Sequence, residues 1–127
     1  MTVNGLSVIS NAMNALGLKY DFAEYIAAEH PGMYWVGEYQ ETPPGLESGE
    51  QESDFILTGT TRGTWLNLEE AKEKIMNYFN KVSGKTVIAE DGSAVAVFYS
   101  NSFIVPTGDA KLKRIEIHLT VKEWSVK

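Results

Sequence analysis

Two histidines, His30 and His118, are the side chains in this sequence best suited to proton transfer near neutral pH or to metal ligation. Neither reads as having a companion His, Asp or Glu at a ligand-like spacing on its own element, so both are expected to be structural or surface residues. His30 precedes Pro31 at the expected end of a helix, and His118 falls on the polar side of an alternating strand pattern. Cysteine is absent, which excludes disulfides, thiolate chemistry and cysteine-based zinc sites. There is no Gly-x-Ser-x-Gly elbow, no phosphate-binding Gly-x-x-x-x-Gly-Lys-Ser/Thr loop and no Gly-x-Gly-x-x-Gly fingerprint. Glu47, Glu50, Glu52 and Asp54 cluster, but their spacing does not follow a calcium-binding EF-hand loop, so they read as a solvated acidic run. No catalytic residue, metal or cofactor is expected, and the chain does not read as an enzyme.

What remains is the chemistry of contact. Trp35, Trp65 and Trp124, together with Tyr34, Tyr39, Tyr78 and Tyr99, are many aromatics for one small core, and surplus aromatics anchor interfaces. The three tryptophans are therefore the interface candidates, with core packing as the competing reading. Trp124 breaks the alternation of the last strand, whose inward phase falls on position 123, so it is expected on an outer face or a ragged sheet edge.

Something must position these groups, and 127 residues suffice for one core and one domain, 1–127. Hydrophobic residues make up 43% and charged residues 22%, an ordinary globular composition. A net charge of −6 argues against sequence-independent binding of nucleic acid, whose phosphates call for concentrated Lys and Arg. The longest apolar run, 94–99, is too short to span a bilayer, and the N-terminal residues do not resemble a signal peptide, so an intracellular protein is expected.

Leu6, Ile9, Met13 and Leu16 recur at helical spacing and Gly17 can end that helix; Asp21 with Glu24 has capping-box spacing for a second helical start before His30-Pro31-Gly32. From Met33 the period becomes two, with Trp35, Gly37 and Tyr39 on one side, and Gly37 suggests a bulge or a close backbone approach. Residues 42–53 read as a long, mobile acidic loop, followed by a strand over 54–62. Asn67 is the expected N-cap of a helix whose apolar face runs Leu68, Ala71, Ile75, Phe79, Val82 and which stops at Ser83-Gly84. Strands are expected over 86–89 and 94–99, joined at Asp91-Gly92, then over 103–105 and in a last strand with Ile115, Ile117, Leu119 and Val121 facing the core. The expected class is α+β: a mixed, mainly antiparallel curved sheet with helices on one face, in the order helix, two strands, helix, three or four strands.

This layout resembles the tail terminator, or tail-completion, proteins of long-tailed bacteriophages and prophages. The similarity is carried by a helix before the strand MYWVGEYQ, the acidic GLESGEQES, the strand DFILTGTTR, the helix LEEAKEKIMNYF and the terminal RIEIHLTVKEW. It covers nearly the whole chain by pattern and not by a sharp motif. The resemblance implies a subunit of a ring, a hexamer, that caps the tail tube and meets head–tail connector proteins, assembled in the bacterial cytoplasm and carried in the virion tail. It brings no catalytic residues. An acidic balance suits a ring through which DNA passes, because it does not hold phosphates. The alternatives are a small ligand-binding domain or enzyme, with a pocket between sheet and helices opening beside Gly37, and a regulatory module with one contact face.

Overall fold

The computed structural model describes residues 1–24, 32–42 and 50–125. Helix α1 (Val3–Ala15) is capped by Thr2, whose hydroxyl accepts the Gly5 N–H at 3.1 Å, and it ends where Gly17 turns to φ 73°. Strands β1 (Tyr20–Phe22), β2 (Met33–Glu41) and β3 (Glu50–Thr61) follow, then helix α2 (Trp65–Tyr78) and strands β4 (Lys85–Ile88), β5 (Ala94–Ile104) and β6 (Lys113–Trp124). The six strands form one strongly curled sheet in the order β1-β2-β3-β6-β5-β4. Every pairing is antiparallel except β1 with β2. This is the expected α+β class with a mainly antiparallel sheet.

The core follows from strand alternation. Trp35, Phe55, Leu57, Ile115, Ile117, Leu119 and Val121 point to one side of the sheet. Ile9 and Met13 of α1 and Leu68 and Ile75 of α2 meet them there, so both helices lie on the same face. Two glycines let aromatic rings lie flat on the neighbouring backbone. A Cβ on Gly59 would sit 2.6 Å from the Trp35 ring, and one on Gly37 would sit 2.5 Å from Phe55 and 2.6 Å from the Tyr20 hydroxyl. The loss of a side chain at Gly37 thus marks a close approach.

Several boundaries differ from the sequence reading. Asp21 lies inside β1 and caps no helix; the rest of that expected helix, with His30, falls outside the described residues. The N-cap of α2 is Thr64, whose hydroxyl accepts the Asn67 N–H at 3.2 Å, so Trp65 belongs to the first turn. That helix stops four residues before Val82. Phe79 leaves helical geometry and the Asn80 side-chain oxygen accepts the N–H groups of Val82 and Ser83 at 2.7 and 3.1 Å, a local alternative to helical bonding. Val82 is consequently 88% exposed instead of joining the apolar face. The two short strands expected over 94–99 and 103–105 are one strand with a bulge between Tyr99 and Asn101.

Candidate functional site

The three tryptophans go to three different environments. Trp35 is 0% exposed and belongs to the core of the chain, because the Gly59 backbone opposite leaves room for its indole. It offers no surface for a partner. Trp65 is 39% exposed in the first turn of α2, next to the still more exposed Leu66. Trp124 is half-buried on the helix-free side of the sheet, opposite Glu50 and Ala94. It is not at a ragged edge: β6 is a central strand, flanked by β3 and β5. Of the acidic run, Glu50, Glu52 and Asp54 are in β3, paired with Trp124, Lys122 and Thr120, and so are strand residues; Glu47 lies outside the described residues.

The two sheet edges are the most distinctive surfaces. On one, β1 pairs only with Trp35, Val36 and Gly37, leaving Glu38–Glu41 of β2 with no strand partner on that side among the described residues. Phe22 and Tyr39 stack there at 6.0 Å and are both exposed, and Asp21, Glu38 and Glu41 make the edge acidic. On the opposite edge, β4 pairs only with Ala94–Val97, leaving Asn101–Ile104 of β5 without a second strand neighbour among the described residues. Phe103 and Ile104 are exposed there, and Lys81 and Lys122 line a groove beside Ser100.

The sheet face turned away from the helices carries a polar cluster. His118 sits between two carboxylates, with Nδ1 2.9 Å from Asp54 and Nε2 2.7 Å from Glu116, and Phe103 stacks on its ring at 5.7 Å. Both nitrogens face acceptors, which favours the doubly protonated imidazolium. Burial works against that charge, but the hydrogen bonds and charges of Glu116 and Asp54 outweigh it and raise the His118 pKa. No group of three or more His, Asp or Glu among the described residues has metal-binding geometry. The space at Gly37 itself is filled by Phe55 and Tyr20, and an open groove between α1 and β1, lined by Leu6, Ser7, Ser10, Tyr20 and Phe22, lies next to it.

No protein-family model matches the chain, and no curated protein matches it. Among solved structures, a chain of the virion of a native gene transfer agent particle superposes on it with a TM-score of 0.67 at 11% identity, over 96% of this chain and 90% of that one. The two chains share a fold. At that identity the likeness concerns architecture, in which helices and a curled sheet recur across almost the full length of both chains.

The His118 cluster was within partial reach of the sequence. Glu116 lies two residues earlier on the same strand, and that spacing puts both on one face. Asp54 was not visible, since it reaches His118 only through the β3–β6 register, in which Ile56 is opposite His118. A raised folded-state pKa stabilises the fold fully below the unfolded histidine value of about 6.5, and that contribution is lost as pH rises through the folded value. In an NMR titration His118 is accordingly expected to deprotonate above the ordinary histidine range. The thermal midpoint difference between the parent and His118→Gln should shrink as pH is raised from 6 to 8. A titration at or below the ordinary value would contradict the bonded-imidazolium geometry.

Proposed function

We propose that this chain is a virion structural subunit that acts by assembling with further copies of itself into a ring, and that it carries out no catalysis. In this reading it is a tail terminator, which closes the tail tube and offers the surface on which head–tail connector proteins dock. The observation that carries the reading is the pair of sheet edges on opposite sides of one subunit that are unfilled among the described residues, each with exposed apolar side chains. A contact that joins two different patches repeats from copy to copy and closes into a ring if the rotation allows it. A module with one contact face needs only one such surface. The fold shared with a gene transfer agent virion chain supports a place among virion components. At Gly37 itself, aromatic side chains occupy the space that a pocket opening there would need.

The test is molar mass by light scattering across protein and salt concentrations, with negative-stain microscopy alone and with tail tubes. Rings of about six copies seated on tube ends are expected. A protein that stays monomeric throughout and leaves tube ends bare would overturn the reading. Rings that bind only the head side would point to a different joining component.

A further inference from the structure

We infer that neighbouring subunits join by strand addition, with the free segment of β2 in one copy pairing antiparallel to the free segment of β5 in the next, so that the sheet continues from subunit to subunit. The inference rests on the ring reading and specifies its contact. Each segment is about four residues long and has strand pairing on one side only among the described residues: Glu38–Glu41 pairs with β3, and Asn101–Ile104 with β6. Strand edges of this kind hold unpaired N–H and C=O groups that favour another chain.

Direction, phase and charge select this pairing. β2 runs antiparallel to β3, β3 to β6 and β6 to β5, so β2 and β5 point opposite ways within one subunit. Two copies in the same orientation, set edge to edge, therefore meet in an antiparallel pair. Side chains must also match faces. Glu38 and Gln40 share the helix-free face through their pairing with Ile56 and Asp54, and Asn101 and Phe103 share it through His118 and Glu116. Two registers respect both sets and pair three free residues on each side, and the one taken here places Glu38 opposite Phe103, Tyr39 opposite Ser102, and Gln40 opposite Asn101, the other being shifted by two residues; a slip by one residue sets outward against inward side chains. Charge opposes the self-pairing of β2, because that would bring two acidic edges together. It favours β2 against β5, where Lys81 and Lys122 line the groove beside Ser100 and the segment itself is uncharged. The bulge between Tyr99 and Asn101 sets this phase, since without it Asn101 would fall on the helix side.

The absence of cysteine makes cross-linking decisive, because introduced thiols are the only ones present. Residues directly opposite each other have Cβ atoms about 4.5–5.5 Å apart, near disulfide reach. Oxidation of the Gln40→Cys/Asn101→Cys double variant is expected to give a ladder of covalent oligomers up to the ring size. Mixing the two single variants should stop at covalent dimers, and each alone should stay uncoupled. The out-of-phase pair Glu38→Cys/Ile104→Cys should give at least tenfold less product, and circular dichroism checks that each variant folds. Covalent dimers from Asn101→Cys alone would mean two-fold pairing of β5 with itself and would overturn the inference. Rings seen by light scattering with no ladder would overturn this contact and leave the ring reading standing. Monomers throughout, even under oxidation at high concentration, would overturn both.

Discussion

Replacing Trp35 with alanine is expected to lower the thermal unfolding midpoint by about 10–20 °C. The side chain is 0% exposed and lies on the bare backbone of Gly59, a position where a Cβ would come within 2.6 Å of the ring. Truncating such a residue costs about 3–5 kcal/mol, since the transfer energy is lost and a cavity remains. For a chain of this size each kcal/mol shifts the midpoint by roughly 3–5 °C. A flat cavity walled by Gly59 on one side collapses poorly, because the sheet backbone cannot move in to fill it. The indole N–H has no hydrogen-bond partner among the described residues. Trp35→Phe removes that unsatisfied donor, which offsets about 1–3 kcal/mol of the lost packing. Calorimetry should therefore place Trp35→Phe well above Trp35→Ala, and equal midpoints for the two would refute the account. The same burial leaves Trp35 no surface for contact with a partner.

The second large effect is expected at Glu123, a carboxylate only 4% exposed at a position where β6 alternation calls for an apolar residue. It accepts the Thr2 N–H at 3.1 and 3.2 Å and the Thr2 hydroxyl, so it sits at the N-terminus of α1. Unpaired N–H groups and the helix dipole both favour a negative group there. Gly5 makes room, since a Cβ on it would stand 2.7 Å from the carboxylate. Glu123→Ala is expected to cost about 2–3 kcal/mol, the range for charged hydrogen bonds together with newly unpaired donors. Hydrogen exchange should quicken most in the first turn of α1 and least in α2. A uniform increase across the molecule would instead mean that Glu123 does not specifically hold the helix start.

The sequence carried most of the elements and few of their junctions. Strict alternation in β6 placed Ile115, Ile117, Leu119 and Val121 correctly, because a strand buried on one face repeats with a period of two. The helix around Leu68, Ala71 and Ile75 was equally plain. Its ends were not, because Thr64 and Asn67 are both good caps and Asn80 draws the backbone out of the helix before the apolar pattern stops. The start of β3 was hidden by Glu50 and Glu52, which look like loop residues but pair with Trp124 and Lys122. β1 was missed altogether. Three residues give no periodicity, and its existence depends on β2 alongside it, with the Trp35 N–H donating to the Lys19 carbonyl at 2.9 Å. Among the interface candidates, residue type alone did not separate the buried Trp35 from the half-exposed Trp65, because only the glycine across the sheet decides that. The two free edges were beyond the sequence, since they exist only once the strand order is known.

That order places residues 50–61 against residues 113–124 at the middle of the sheet. The seam joins strands far apart along the chain, and closing such a loop is entropically costly before any contact rewards it. A nascent chain leaving the ribosome therefore has no sheet centre until β6 arrives, and neither sheet edge has a scaffold before then. In the proposed assembly, competence to join neighbours is in this way tied to the making of β6: a product that stops short of it cannot align β2 with β5 and presents no paired edges to a neighbour.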